Sequence, residues 1–441
     1  TTPSQLICVY ENMKCDDGKK RFTIGINDDV TYLSLNPKKE INTTPLGTIS
    51  CKFWGLGSDG TVGANKNTIK IIGDNTDKYV QGYFAYDSKK SGGLTLSHLR
   101  FGNKPIKSTY YISQADFVAC HNPSYVHKYD MVQDLKQNGK FLLNCGWTDQ
   151  QLEQFLPDKM KKCIAEKNID FYTIDGIKIG KEIGLGGRIN TILQSAFFRI
   201  MNIIPCEKAV NLMKEAASKT YGRKGEKVVS MNHLAIDRGL TGLHKVNVPE
   251  SWSKINVNED SVNDIKDGDS KLLDYVNTIQ EPVNECKGNE LPVSAFVDHA
   301  DGTVPLGSAA FEKRGVAIDV PEWTPENCIQ CNFCSYVCPH AVVRPCVMTD
   351  EELSKAPKNT KSKKMMGLPG LNFTVSISTL DCTGCGNCAQ VCPGMMGNKA
   401  LTMKPMHTQL DSQMTFDYCE NIPTKEQVFE KFKETTVKGS Q

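Results

Sequence analysis

Eight cysteines between residues 328 and 392 fall into two copies of one pattern. The first reads Cys328-x-x-Cys331-x-x-Cys334-x-x-x-Cys338-Pro339, the second Cys382-x-x-Cys385-x-x-Cys388-x-x-x-Cys392-Pro393. A [4Fe–4S] cube takes a thiolate at each of its four corners. In paired runs of this spacing, the fourth cysteine of each run serves the cube of the other. The expected ligand sets are therefore Cys328, Cys331, Cys334 and Cys392 for one cluster, and Cys382, Cys385, Cys388 and Cys338 for the second. A zinc site closes with four ligands, typically as two separated pairs, and would not need a Cys-Pro after each triplet. Disulfides suit secreted scaffolds, and triplets this closely spaced are poor partners for one another.

A second constellation lies near the start of the chain. The apolar strand Thr48 to Trp54 ends in Gly55-x-Gly57-x-x-Gly60, and a helical stretch, Thr61 to Ile72, follows. Glycines between a strand and a helix N-terminus let backbone N–H groups approach a phosphate, helped by the helix dipole. The same pattern is equally compatible with a tight turn that needs positive φ. The next strand, Tyr79 to Tyr86, would complete a βαβ unit with parallel strands. It leads into Asp87-Ser88-Lys89-Lys90-Ser91-Gly92-Gly93. Asp87 would suit an NAD ribose. Lys89 and Lys90 would suit the ribose phosphate of coenzyme A or NADP, or form a solvated pair. Cys120 and His121 read as the end of a strand before an Asn122-Pro123 turn rather than as a catalytic dyad. Glu312-Lys313-Arg314 reads as a solvated face, and Met365, Met366, Met395 and Met396 as packing around clusters and loops.

The elements that must position these residues follow from periodicity. Residues 1–45, with short strands between Phe22 and Leu35, are too few for a core of their own and are expected to be a leading segment, the end of a preceding domain, that packs on a neighbour. Residues 46–250 read as one α/β domain with a mostly parallel sheet. Its further strands are Ala115 to Cys120, Phe141 to Cys145 and Lys227 to Met231. Its helices are Gln151 to Lys167, Arg188 to Ile203, Cys206 to Tyr221 and Ala235 to Leu243. Residues 251–320, rich in Asp, Asn, Ser, Gly and Pro, read as a small irregular connecting domain. Residues 321–405 form an α+β module of bacterial-ferredoxin type, and 406–441 a tail with a charged helix, Lys425 to Thr436. The module carries a long insertion, Val347 to Thr379, holding Lys355, Lys358, Lys361, Lys363 and Lys364. It is either a docking surface for an acidic partner or a mobile solubilising loop.

The whole chain has 441 residues, 39% hydrophobic and 23% charged, with a formal net charge of +2. That balance gives no argument for nucleic acid or a membrane surface. Besides the eight paired cysteines there are Cys8, Cys15, Cys51, Cys120, Cys145, Cys163, Cys206, Cys286, Cys346 and Cys419. Scattered in this way they behave as small buried hydrophobes and point to a reducing compartment, cytoplasmic or hydrogenosomal. The start at Thr1-Thr2-Pro3 suggests a piece of a longer protein.

Four segments carry a family resemblance: Trp54-Gly-Leu-Gly-Ser-Asp-Gly-Thr-Val-Gly-Ala-Asn65, the run Gln81 to Gly93, Phe311-Glu-Lys-Arg-Gly315 and Pro321-Glu-Trp-Thr-Pro-Glu-Asn-Cys328. Together they resemble the pyruvate:ferredoxin oxidoreductase family, in its middle portion: a γ-type domain, an EKR domain and a two-cluster domain. The resemblance implies oxidative decarboxylation of pyruvate, coenzyme A as acyl acceptor, and ferredoxin or flavodoxin as electron acceptor. It implies coenzyme A contacts from Gly57, Ser58, Asp59, Gly60 and Thr61, with Lys89, Asn190 and Asn232. It assigns thiamine diphosphate and a third [4Fe–4S] cluster to other domains of a homodimeric enzyme, and no Gly-Asp-Gly followed by Asn-Asn occurs here. No catalytic residue is expected in this stretch, which alone should not turn over pyruvate. Two rival readings remain: a pure electron-transfer subunit without coenzyme A, or the core of a pyruvate:NADP oxidoreductase.

Overall fold

The structure, a computed structural model, describes residues 1–87, 89, 92–257, 269–433 and 435–437. Lys90, one of the two cations expected beside the glycine turn, lies outside the described residues, as do Ser88 and Ser91. The chain divides into two units, Thr1–Phe311 and Glu312–Gln441.

The first unit opens with helix α1 (Pro3–Lys14), which the sequence reading did not anticipate. It starts with a full capping box, Thr2 Oγ1 accepting from Gln5 N–H and Gln5 Oε1 from Thr2 N–H. Two-residue strands β1 (Thr23–Ile24) and β2 (Ser34–Leu35) pair in parallel. This leading segment meets the connecting region of the same unit: Val293 N–H donates to the Asn27 carbonyl at 2.9 Å, and Ser294 N–H to Asp29 at 2.9 Å.

Seven strands form the central sheet: β3 (Ile49–Leu56), β4 (Tyr79–Tyr86), β5 (Leu94–Gly102), β6 (Ala115–Cys120), β7 (Leu135–Asn144), β8 (Asp170–Ile174) and β9 (His244–Lys245). Their order is β4-β5-β3-β6-β7-β8-β9. The central four, β3, β6, β7 and β8, run parallel, while β5 and β9 are antiparallel to their neighbours. The βαβ expectation is corrected here. β3 and β4 do point the same way around helix α2 (Thr61–Asn75), but β5 lies between them and pairs antiparallel with both. β4 and β5 therefore pair as a hairpin, with Asp87 N–H donating to the Leu94 carbonyl at 2.9 Å. The strand β5 escaped the sequence reading because Ser97, His98 and Arg100 break its apolar pattern, yet all three are buried.

Helices α3 (Asp149–Phe155) and α4 (Asp158–Glu166) replace the single helix expected over 151–167, because Pro157 cannot donate within a helix interior. After α5 (Gly176–Glu182) come α6 (Asn190–Met201), α7 (Cys206–Tyr221) and α8 (Glu226–Thr241). The strand expected over 227–231 is the first part of α8. Its Val228-Val229 favoured extended backbone locally, but Ala235 and Ile236 farther along bury against the core formed with α6 and α7. Phe197 of α6 packs against Phe53 and Phe117, with ring centroids 5.3 and 5.1 Å apart, which fixes α6 over β3 and β6. The connecting region carries one helical stretch, α9 (Ser270–Tyr275) continuing through a π-helical segment, Val276–Gln280, into α10 (Glu281–Asn284), and its other helical elements among the described residues are 3-10 helices.

The second unit pairs β10 (Asp319–Trp323) with β14 (Leu401–Pro405), and β11 (Val343–Met348) with β13 (Asn372–Ile377), itself joined by β12 (Lys363–Lys364). Its helices are α11 (Phe333–Tyr336), α12 (Asp350–Lys355), α13 (Asn387–Val391), α14 (Asp411–Glu420) and α15 (Glu426–Lys431). Among the described residues, no helix is long and apolar enough to cross a membrane.

Two buried histidines make the first unit sensitive to acid. His98 accepts from Ile112 N–H at 3.1 Å and stacks on Tyr111; burial, with Lys52 and Arg100 nearby, pushes its pKa down to about 3. His121 bonds the Thr61 hydroxyl at 2.6 Å, and burial lowers its pKa to about 4. Between about pH 6.5 and 4 the unfolded chain thus binds more protons, and stability falls as pH falls, by up to about 3 kcal/mol per histidine. Hydrogen exchange of the β5 and β6 amides, corrected for intrinsic rates, should accelerate over that range. In His98→Gln the acceleration should shrink. A pH-independent opening energy would contradict this account.

Candidate functional site: two cysteine-lined cavities and a glycine loop

The doubled cysteine motif folds as a doubled structure. Gln330 and Gly384, each two residues after the first cysteine of its run, both have positive φ, at +55° and +71°. Their N–H groups donate to the sulfurs of Cys328 and Cys382, each at 3.3 Å. Asn332 and Gly386, at φ +61° and +76°, then start the equivalent helices α11 and α13. A left-handed residue turns the backbone so that successive cysteines face one centre. Glycine does this without strain, whereas Gln330 needs compensation. That compensation is visible. The buried Gln330 amide donates to the Lys364 carbonyl at 2.9 Å and accepts from Met366 N–H at 2.8 Å.

One cavity is lined by Cys328, Cys331, Cys334 and Cys392, together with Trp323, Phe373 and Leu401. A second is lined by Cys382, Cys385, Cys388 and Cys338, with Val342, Val343 and Met403. Each cavity thus collects three cysteines from one run and the fourth, with its proline, from the other. The thiols ring a space rather than a point: among the described residues, no three His, Cys, Asp or Glu are placed to hold a single metal ion. Further N–H groups reach the crossing cysteines, Val342 N–H to Cys338 at 3.4 Å and Ala400 N–H to Cys392 at 3.3 Å. Burial, reinforced by neighbouring thiols, pushes Cys334 and Cys382 up to about 12 and Cys388 up to about 11. Thiols so raised stay protonated until cations enter, and a cluster's iron inverts that preference. Four soft donors around an apolar-walled space suit a [4Fe–4S] cube.

The insertion is ordered against the first cysteine loop. Lys363 Nζ donates to the Cys328 carbonyl at 2.8 Å, Lys361 pairs with Glu322 at 3.0 Å, Lys364 with Asp350 at 3.0 Å and Lys355 with Glu351 at 2.7 Å. Four of the five lysines thus have partners within the unit, although Lys355 and Lys364 stay 65% and 72% exposed. Lys313 likewise pairs with Asp381, next to Cys382, at 2.8 Å, so this charge run is more than a solvated face.

In the first unit, the glycine loop closes on itself. Asp59 accepts from Leu56 N–H at 2.9 Å and from Thr61 N–H at 2.7 Å, so its carboxylate caps the start of α2. Ser58 and Gly60 adopt φ of +76° and +89°. Gly57 N–H donates to the Gly93 carbonyl at 2.7 Å, which places the half-buried Lys89 hairpin beside the loop. Asn190, at the start of α6, packs directly on Gly60, its Cγ 2.9 Å from where a Cβ would stand. Asn232 instead turns back on its own helix, donating to the Val228 carbonyl at 2.8 Å. Cys120 and His121 are not aligned as a dyad: the Cys120 thiol donates to the Asn122 carbonyl at 3.0 Å while the His121 ring meets Thr61. Thr61 and His121 are the link that local sequence could not reveal, being 60 residues apart.

Gly60→Ala should cost about 1–3 kcal/mol in urea unfolding of the first unit, through left-handed strain and the clash with Asn190. Gly63→Ala, in helix α2 with no atom within 4 Å of the added Cβ, should be neutral or stabilising. Equal effects would contradict this geometry.

Comparison with known proteins gives a consistent assignment. Residues 50–242 match the family described as pyruvate ferredoxin/flavodoxin oxidoreductase, 266–317 the EKR domain, a domain of unknown function, and 327–396 the 4Fe-4S dicluster domain. The chain is 49% identical over 442 residues to the pyruvate:ferredoxin oxidoreductase of Moorella thermoacetica, covering 100% of this chain and 37% of that protein. It is 47% identical over 440 residues to the pyruvate-flavodoxin oxidoreductase of Enterobacter agglomerans, covering 100% and 36%. Over 468 residues it is 45% identical to the pyruvate dehydrogenase (NADP+) of Cryptosporidium parvum, covering 100% and 24%. Among solved structures, pyruvate oxidoreductase subunit PORC from Thermotoga maritima aligns with 45% of this chain and 98% of its own, at 17% identity and a TM-score of 0.37. The chain spans little more than a third of the length of the first two relatives. It carries, in this order, the pyruvate ferredoxin/flavodoxin oxidoreductase, EKR and 4Fe-4S dicluster domains, and its homologues are the pyruvate:ferredoxin and pyruvate-flavodoxin oxidoreductases.

Proposed function

We propose that this chain supplies two electron-transfer centres and an acyl-acceptor site to an enzyme that oxidises pyruvate and coenzyme A to acetyl-coenzyme A and CO2, releasing one proton and two electrons. The observation that carries the reading is the pair of cavities, each lined by three cysteines of one run and the fourth of the other. Cys328, Cys331, Cys334 and Cys392 would hold one [4Fe–4S] cluster and Cys382, Cys385, Cys388 and Cys338 the other. A bound cluster supplies a one-electron carrier whose potential depends on hydrogen bonds to sulfur and on exposure. The chain's own part is to hold the sulfurs, donate N–H to four of them and wall them with Trp323, Phe373, Leu401, Val342 and Val343 against water.

For coenzyme A, the support is the convergence of Gly57, Ser58, Asp59, Gly60, Thr61 and Asn190 beside the Lys89 hairpin. Asp59 already occupies the Thr61 N–H, so the 3′-phosphate contact would fall to Lys89 and the preceding loop backbone. Asn232 would contribute only by leaving its helical hydrogen bond. The catalytic thiamine diphosphate, a third cluster and the dimer contacts would belong to other parts of the enzyme. Ferredoxin or flavodoxin would take the electrons, in the cytoplasm or a hydrogenosome. Relatives named for ferredoxin, flavodoxin and NADP all align along the entire chain, which supports a reading in which the final acceptor would be set by other parts of the enzyme.

Iron analysis of serine variants tests the crossed ligand sets. Cys328→Ser and Cys392→Ser should each lose about half the iron, and the double variant no more than either alone, because both changes fall on one cluster. Cys328→Ser with Cys338→Ser should lose both clusters; the reverse pattern would sink the crossing. Calorimetry of the cluster-loaded chain tests the acyl-acceptor site. Coenzyme A should bind more tightly than 3′-dephospho-coenzyme A, and Lys89→Ala should weaken coenzyme A by about 10- to 100-fold, as expected for a charge-assisted hydrogen bond. Binding of NADPH instead, or of neither ligand, would refute it.

A further inference from the structure

One lysine of the insertion is placed unlike its neighbours. Lys355, Lys361 and Lys364 each face a carboxylate. The half-buried Lys363 instead gives its ammonium to the backbone carbonyl of Cys328, at 2.8 Å. Among the described residues, no carboxylate pairs with that ammonium. The contact is braced along the strand. Lys363 pairs on β12 with Phe373 of β13, whose ring lines the first cavity. Just before it, Lys361 Nζ donates to the carbonyl of Trp323, another wall of that cavity, at 3.1 Å. Just after it, the Gln330 side chain laces Lys364 and Met366 to the first cysteine loop.

The second cavity is arranged differently. Beside Cys382, the counterpart of Cys328, Lys313 is neutralised by Asp381 at 2.8 Å, and the same carboxylate accepts from the Ser378 hydroxyl at 2.6 Å. The N–H groups on sulfur do not distinguish the cavities. Each has one on its first cysteine, at 3.3 Å, and one on its crossing cysteine, at 3.3 or 3.4 Å. The unneutralised cation is a difference between two shells that match in this respect.

We propose that Lys363 is a tuning residue: its positive charge, held against the backbone of Cys328, raises the reduction potential of the cluster in the first cavity and leaves that in the second nearly unchanged. The inference rests on the two-cluster reading. Reduction adds one negative charge to a cluster and its thiolates, so a nearby cation stabilises the reduced form more than the oxidised one. The effect is larger where low-dielectric walls replace water, and here those walls include Trp323, Phe373 and Leu401. An electron shared between the two clusters is thereby drawn toward the first.

The test is a redox titration of the cluster-loaded chain under argon, followed by electron paramagnetic resonance. A single pH keeps His340, which lines the second cavity, common to all samples. Lys363→Met removes the charge and keeps an unbranched side chain. It should lower the reduced-to-oxidised ratio of one cluster about tenfold at a given potential, equivalent to about 59 mV for one electron, with the iron content unchanged. Lys363→Glu should move the same cluster further in the same direction, and Lys363→Arg should restore it. Cys385→Ser, which keeps the first cluster, and Cys331→Ser, which keeps the second, should assign the shifted signal to the first. Lys364→Met, on the same strand but exposed and paired with Asp350, should move neither. With both clusters loaded, potentials that stay in place in Lys363→Met would overturn the proposal, as would a shift confined to the second cluster. Equal shifts in Lys363→Met and Lys363→Arg would overturn it too, because a purely structural contact behaves that way. The iron content of the parent chain reports separately on the two-cluster reading, and a parent that takes up no iron would overturn both.

Discussion

Three cysteines spaced two residues apart can embrace part of a cube but not close it, and this limit organises the second unit. The fourth corner has to be reached from another part of the chain, and in each cavity here the fourth lining cysteine comes from the other triplet's own Cys-Pro. Each cavity therefore needs both halves of the fold in register. The pairings of β10 with β14 and of β11 with β13 bring the halves together. Cys328, Cys382 and Cys388 accordingly sit inside the same apolar cluster as Trp323, Phe373 and Leu401. Core and ligand shell are one object, so a change that loosens the core would also loosen the sulfurs.

The first unit solves a different problem, that of holding an open glycine turn in one shape. Asp59 caps the helix that the turn begins, and Thr61 is anchored by the buried His121. The aromatic packing of Phe197 then delivers Asn190 to Gly60. A carboxylate at a helix N-terminus stabilises the helix by the same dipole that would favour a phosphate. Asp59 thus makes the loop rigid and occupies the Thr61 amide at the start of the helix.

The extent to which the sequence was legible follows from the range of the interactions. Cysteine spacing acts over a few residues and repeats itself, so the two quartets that share cavities could be written down in advance. Strands β4 and β6 and helix α7 matched to the residue; β6 ends just before Asn122-Pro123 and α7 just before Gly222. What failed was non-local. β5 hides Arg100 by giving its guanidinium to Gln81 and to the Tyr110 carbonyl, contacts that no periodicity announces. Val228 and Val229 favour a strand until α8 is placed against α6 and α7. The partners of three insertion lysines, Glu322, Asp350 and the Cys328 carbonyl, are likewise assigned only by the fold. Gln330 in place of a glycine gave no hint that the insertion holds it.

The central claim is that each cluster is shared between the two cysteine runs, and iron-edge anomalous diffraction from anaerobic crystals of the cluster-loaded chain tests it most directly. The account predicts two iron centres, one bonded to Cys328, Cys331, Cys334 and Cys392 and the other to Cys382, Cys385, Cys388 and Cys338. A centre bonded to Cys338 together with Cys328, Cys331 and Cys334, or a single mononuclear metal in either cavity, would contradict it.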